Sequence, residues 1–377
     1  MVSLLLREGV SVWSAEQWAS LEEDGNLFTG WRWLQALEQA GCVGEASGWL
    51  PLPLGLERDG ELRALAPAYL KRHPRGEYVF DWAWAEAYAR AGLDYYPKLV
   101  VASPFSPVSG RRLLGDAAAW PQLIAGLEQV VREHGLSSAH VLFPSDEEAR
   151  ALEEAGWLLR EGVQFHWRNR GYADFDAFLA TLSRDKRKKI RQERRKVAEA
   201  GIRVRALRGA AIVAEDWAFF YRCYRQTYLE HRSAPYLNPA FFALLAERLG
   251  PHCLMFVAER DGAPLAASLC LVQDGVLYGR YWGALADIPC LHFELCYYQG
   301  LEYAIRAGLH CFEGGAQGEH KLARGFEPER TWSAHHIVDP RFRAAIAGWL
   351  QREREGGDEY VDTLFSHSAY KTLAPDE

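Results

Sequence analysis

The stretch Phe312–Phe326, FEGGAQGEHKLARGF, gathers Glu313, Glu319, His320, Lys321 and Arg324 around two glycine clusters. Three chemistries use such groups. A metal site would draw on Glu313, Glu319, His320, and on His335 and His336 further on. Adjacent Glu-His residues do not present two ligands to one ion as the i, i+4 spacing of HExxH does. A phosphate loop would need Gly-Lys-Ser/Thr after the glycines, and none follows. Acyl transfer to an amine needs a proton acceptor and stabilisation of a tetrahedral oxyanion. Glu313, Glu319 or His320 suits the first task. Lys321, Arg324 or a backbone N–H suits the second, and Gly314 and Gly315 allow close backbone approach to a ligand. The stretch is therefore expected to be a reaction-centre loop without metal. The bland reading is a glycine turn carrying solvated charges.

A second constellation is RDKRKKIRQERRK, residues 184–196, with nine basic and two acidic residues. Its net charge is +7 in a chain of net charge −7, leaving −14 on the remainder. On a helix, Arg184, Arg187, Arg191 and Arg195 share one face. Like charges this dense suit an anionic partner, a diphosphate or an RNA backbone, better than solvent alone. Arg187 and Arg191 are expected to bind substrate. No aromatic interrupts the run, which argues against single-stranded RNA.

Further along, LHFELCYYQGLEYAIRAG reads as a helix with His292, Cys296, Gln299 and Tyr303 on one stripe. His292 and Glu294 occupy its first turn and are expected to contact a donor, together with Arg280 and Tyr281 just upstream. Cys296 would need a lowered pKa to act as a nucleophile, and packing explains it better. In the first half, Asp81, Trp84 and Lys98 lie among aromatic and polar residues (GEYVFDWAWAEAY, YYPKL). They are expected to line a groove for a sugar or peptide acceptor; an aromatic core is the competing reading.

The elements that must position these groups follow from pattern. The chain has 377 residues, enough for two domains. Asp59-Gly60, Asp261-Gly262 and Asp274-Gly275 are hairpin turns between strand-like segments. Both halves run helix, strand hairpin, helix, strand, which predicts two related α/β domains, residues 1–170 and 171–377. The seven cysteines form no CxxC pair, the start lacks a basic leader region, and no run reaches the roughly 18 apolar residues of a membrane span. These features predict a cytoplasmic protein.

Several long strings resemble one family. They are RDKRKKIRQERRKVAEAGIRVR, LYGRYWGA, the segment from LHFELCYYQG to KLARGFEP, KRHPRGEYVFDWAWAEAYARAGLDYYPKLVVASPFSPVSGRRLL and QFHWRNRGY. They are similar to bacterial predicted N-acyltransferases called peptidoglycan biosynthesis or recognition proteins, themselves distantly similar to Fem-type aminoacyltransferases. The resemblance implies tandem GNAT-like domains of α/β (α+β) class, each a mixed, mostly antiparallel sheet flanked by helices. It implies transfer of an acyl or aminoacyl group from an activated donor to an amine, such as a cell-wall precursor. No tightly bound cofactor is expected. The donor would be acyl-CoA or aminoacyl-tRNA, with tRNA a candidate partner and a small molecule or peptidoglycan precursor as acceptor.

Two departures stand out. The CoA-binding glycine loop of GNAT domains is replaced by ALADIPCLHF. The lysine of the Fem-type FKxxF pattern falls on Ala323, between Lys321 and Arg324. The rival expectation is a non-catalytic GNAT-fold binder of a nucleotide-sugar or peptidoglycan precursor.

Overall fold

The computed structural model describes residues 2–22, 26–315, 318–366 and 368–371. Ala316 and Gln317 of the glycine-rich stretch lie outside these. The chain forms two compact units, Met1–Gly162 with Arg330–Glu359 and Val163–Glu329 with Tyr360–Glu377. The first change of unit comes slightly before the expected residue 170, and the return of 330–359 to the first unit is not visible in the linear order.

In the first unit, β1 (Val2–Leu6), β2 (Trp49–Pro51), β3 (Leu54–Arg58), β4 (Glu61–Ala66) and β5 (Ala68–Lys71) precede β6 (Lys98–Val101), β7 (Leu114–Gly115) and β8 (Ser138–Leu142). β9 (Leu158–Arg168) then leads into the second unit. That unit contains β10 (Arg203–Arg208), β11 (Cys253–Arg260), β12 (Ala263–Gln273), β13 (Val276–Ala284) and β14 (Cys311–Glu313). β15 (Glu327–Ile337) returns to the first.

The Asp-Gly turns behave as their chemistry requires. Asp261 and Gly262 have φ of 53° and 79°, and Asp274 and Gly275 have φ of 47° and 75°. Two successive positive-φ residues match the twist of a two-residue hairpin. Registers Arg260↔Ala263 and Gln273↔Val276 close these hairpins. Strand order in the second unit is β10-β11-β12-β13-β14-β9.

Both units contain one parallel pair made by a helical crossover. In the first, β6 and β8 pair from Leu99↔Ala139 to Val101↔Val141, joined through the Trp120–Glu133 helix. In the second, β13 and β14 pair at Val276↔Cys311, Leu277↔Phe312 and Tyr278↔Glu313. The crossover there is the helix of residues 291–306, with a π-type turn at Glu294–Tyr298. Ser268 Oγ donates to the Leu295 carbonyl at 3.0 Å in that turn. β13 runs on to Ala284 after β14 has ended, so the two strands part beyond Glu313. Pairing of β12 with β13 skips Arg280 as a bulge, between Leu269↔Tyr281 and Cys270↔Gly279. Bulges re-aim side chains, and Arg280 is turned this way beside the parting strands.

The cores follow the apolar pattern. Leu99, Val101, Leu123, Leu127 and Val141 pack in the first unit, and Trp167, Phe178, Ile190, Leu254, Leu301 and Phe312 in the second. The Ala214–Glu230 helix approaches β13 closely at Gly283, where a Cβ would lie 1.9 Å from the Cys223 carbonyl oxygen. Gly283→Ala must push that helix off the sheet. It is expected to cost about 1–3 kcal/mol and lower the melting temperature. Gly348→Ala, in the helix Pro340–Ser366 with no neighbour nearer than 3.7 Å, is expected to leave it unchanged or raise it. Thermal denaturation of the two variants checks both.

Candidate active site

The glycine-rich stretch begins where β14 ends. Glu313 is the last strand residue, and its Cα partners are Tyr278 of β13 and His166 of β9. Its carboxyl is half-buried. Burial pushes its pKa up to about 7, against the pull of Arg280 and Arg168 and with a push from Glu329. A carboxyl that titrates near neutrality is poised for proton transfer.

The chain then turns through a short helix, Glu319–Arg324. Lys321 points inward and is only 1% exposed. Its Nζ donates to the Gly315 carbonyl at 2.7 Å, and burial brings its ammonium down to about 8. A Cβ at Gly314 would lie 3.3 Å from Lys321 Cδ and Cε, so a glycine here leaves the lysine stem its space. An ammonium carries three donors, and Gly315 takes one of Lys321's.

His320 is exposed, and its Nε2 is 2.8 Å from the Tyr297 hydroxyl. His292 stands 6.3 Å from His320, centroid to centroid, and edge-on to Trp282 at 5.0 Å. Burial, with His320, Arg324 and Lys321 adding, brings His292 down to about 4. Both imidazoles are held below the usual histidine range, so neither carries a charge at neutral pH. Glu319 is exposed at the start of the turn.

Arg324 is buried and engaged on every side. Its Nη2 reaches both Glu193 carboxylate oxygens at 3.0 and 2.9 Å, its Nε donates to Tyr298 Oη at 3.0 Å, and its Nη1 donates to the His320 carbonyl at 2.7 Å. Its guanidinium lies 3.6 Å from the Phe293 ring centroid. With its donors taken, Arg324 holds the loop in place, and an oxyanion or donor phosphate would have to displace a bond to reach it.

The other expected residues separate. Arg280 belongs beside Glu313 electrostatically. Tyr281 packs on Tyr224 and Phe242, at 5.5 and 6.0 Å. Glu294 is largely buried, held by Arg194 at 3.0 Å and by Gln299 at 2.8 Å, and it lines the open groove that Arg194 borders. On the helix Arg184–Glu199 the buried stripe is Ile190, Glu193 and Val197. Arg187 is half-buried, and Arg191 is exposed and paired with Asp176 at 3.0 Å. Arg191, Arg194 and Arg195 border an open groove of about 650 Å³ whose floor includes Phe175, Leu179 and Ile202. Glu313 and Lys321 are not in its lining. Cys296 is pushed well above the ordinary thiol range by burial, which keeps it protonated.

Asp81, Trp84 and Lys98 lie in the first unit and are buried. Lys98 is fully enclosed and bonds Asp81 and Glu77, the latter at 2.8 Å. Tyr95 donates to Asp81 at 2.6 Å, and Trp84 stands edge-on to His335 at 4.7 Å. An aromatic, charged segment reads alike whether it lines a groove or closes a core. Here two carboxylates compensate one buried ammonium, and Asp81, Trp84 and Lys98 are enclosed while Phe80 and Trp82 of the same segment are exposed.

Residues outside the expected set are Glu193, Tyr297, Tyr298, His166, Arg168 and Trp282. Glu193 was hidden inside a basic run, where an acid reads as charge relief. The loop that lacks the CoA glycines enters its helix through Cys290 at φ 69°, a left-handed conformation that glycine adopts more readily. Among the described residues, no group of three or more His, Cys, Asp or Glu could hold a metal, and no helix is long and apolar enough to cross a membrane.

Comparison with known families decides the relationship. The FemAB-like model, described as peptidoglycan biosynthesis/recognition, matches residues 10–372. The chain belongs to the FemAB-like family. No curated protein sequence matches it. Among solved structures it is similar to FemX, at 12% identity and a TM-score of 0.54, covering 88% of this chain and 98% of that one. It is also similar to L-PGS from Bacillus licheniformis, at 12% identity and a TM-score of 0.51, covering 81% and 90%. A tandem GNAT protein from the clavulanic acid biosynthesis pathway gives 13% identity and a TM-score of 0.47 over 90% and 99%. At these identities the likeness is one of fold. The FemAB-like chain is a mixed α/β protein with helix-flanked sheets.

If Lys98 serves the core as these contacts indicate, Lys98→Ala leaves Asp81 and Glu77 uncompensated. It is expected to destabilise the protein by about 3–5 kcal/mol, read as a fall in denaturant midpoint. A groove residue would cost affinity and leave the midpoint in place.

Proposed function

We propose that this FemAB-like protein is an N-acyl- or aminoacyltransferase whose reaction centre lies where β13 and β14 part. The observation that carries this reading is that one loop bears both Glu313 and Lys321, each with its charge held back by burial. A carboxyl raised to about 7 ends the parallel strand, and an ammonium lowered to about 8 donates to the Gly315 carbonyl two residues on. The family description, peptidoglycan biosynthesis/recognition, supports an acceptor of the peptidoglycan-precursor class.

The acceptor amine nitrogen attacks the acyl carbonyl carbon. Glu313, as carboxylate, takes the proton that the amine must lose. The carbonyl oxygen becomes an oxyanion, met by a Lys321 N–H and by backbone N–H groups of the glycine loop. Collapse of the tetrahedral species breaks the bond to the donor's sulfur or ribose oxygen, and that atom leaves with the proton Glu313 collected. No covalent enzyme intermediate is needed. Arg280 and Arg168 keep Glu313 ionisable in its half-buried place. Tyr297 and the neutral His292 and His320 form an uncharged wall beside the centre.

A panel of acyl-CoAs, aminoacyl-tRNAs and acyl-carrier protein, each with an amine acceptor and scored by mass spectrometry, tests the reading. Transfer from one donor class supports it, and no transfer by the folded protein contradicts it. The pH profile has a definite shape. Glu313 is the base only above its pKa, so the rate rises through about pH 7. Lys321 is protonated only below its pKa, so the rate falls above about pH 8. Glu313→Gln is expected to lower kcat about 10²- to 10⁴-fold and erase the rising limb. Lys321→Met is expected to erase the falling one.

A further inference from the structure

We propose that Glu193 is the positioning residue of this centre: acting through Arg324, it fixes the peptide that presents Lys321. The proposal rests on the transferase reading above.

Glu193 belongs to the helix Arg184–Glu199, whose other acid in the basic run is Asp185 at its start. While most of its neighbours face solvent, Glu193 is buried beside Ile190 and Val197. Its oxygens accept from Arg324 Nη2 at 3.0 and 2.9 Å and from the Tyr298 hydroxyl. The same hydroxyl accepts from Arg324 Nε at 3.0 Å. Two edges of the guanidinium are thereby fixed in plane. The third, Nη1, donates to the His320 carbonyl at 2.7 Å. That carbonyl belongs to the peptide joining His320 to Lys321. A planar fork holds its partners in one fixed plane, which a freely rotating ammonium does not.

The loop is pinned at a second point, where the Tyr370 hydroxyl donates to the Gly325 carbonyl at 2.9 Å. Between these anchors the backbone of Lys321 has one place to go, and Nζ reaches the Gly315 carbonyl at 2.7 Å. A charged pair this deep repays its desolvation poorly as pure stabilisation. Holding a catalytic group within a fraction of an ångström is a task that justifies it.

The charged and titratable groups around Lys321 are Cys296 from the 291–306 helix, His166 from β9, His292, and His320 and Arg324 from its own turn. Cys296 is protonated and the three imidazoles are neutral near pH 8, so a shifted falling limb reports Lys321 itself.

The test is a double-mutant comparison. Glu193→Gln strips charge from a buried pair, so Tyr298→Phe, which removes only the bridging hydroxyl, is made in parallel. Each is placed in the wild-type and the Lys321→Met background, and thermal melts confirm folding. Both are expected to lower kcat about tenfold or more, to leave KM for donor and acceptor nearly unchanged, and to move the limb near pH 8. In the Lys321→Met background both are expected to cost almost nothing, because the group they position is gone. Losses of equal size in both backgrounds would overturn the proposal, as would unchanged kcat in the two folded variants. Hydrogen exchange of residues 318–326 needs no activity and separates this proposal from the transferase reading. Faster exchange confined to that segment in Tyr298→Phe supports positioning whatever the donor panel shows, and unchanged exchange contradicts it.

Discussion

The parting of β13 from β14 is the constraint on which the rest depends. A sheet left open in its interior exposes backbone groups that must be paired or solvated. It also brings polar groups into a half-buried place. Glu313 ends the short strand and feels the charge of Arg280, which sits at a bulge, and the glycine loop carries Lys321, whose Nζ donates to the Gly315 carbonyl. Burial then does what burial does to charge. It favours the neutral form of each group and moves acid and base toward one another on the pH scale. The proposed chemistry follows from that convergence.

The loop could not hold this arrangement alone. Glycines make it permissive, and a permissive loop needs anchors. Three elements distant in sequence meet at Arg324: the basic helix through Glu193, the crossover helix through Tyr298 and Phe293, and the turn through the His320 carbonyl. The π-type turn at Glu294–Tyr298 sits in the same crossover helix, and π-bulges often mark functional sites. The helix whose sequence advertises anion binding therefore also serves the loop from its inner face.

Much of the fold was legible because its signals are local. The Asp-Gly pairs mark the hairpins, and helical spacing marks the basic helix and the helix that begins at Leu291. Residues 330–359 were not legible as part of the first unit, because membership of a compact unit is set by contacts far along the chain. At the candidate site, residue types and glycines singled out a loop whose Glu313 and Lys321 are both shifted by burial. Burial sorts its members: Glu313 and Lys321 are shifted toward their neutral forms, Arg324 is bound by Glu193, Tyr298 and the His320 carbonyl, and Glu294 pairs with Arg194. Asp81, Trp84 and Lys98 show the limit plainly. Their types suit a sugar groove, and only the enclosure of Lys98 by two carboxylates shows that they close a core.

The central claim is that burial at the strand ends brings the Glu313 carboxyl to neutrality. It is tested most directly by titrating that carboxyl with carbon-13 NMR on glutamate-labelled protein, using Glu313→Gln to assign the resonance. The account predicts a midpoint near 7. A midpoint in the ordinary carboxylate range, near 4.3 or about that value, would contradict it.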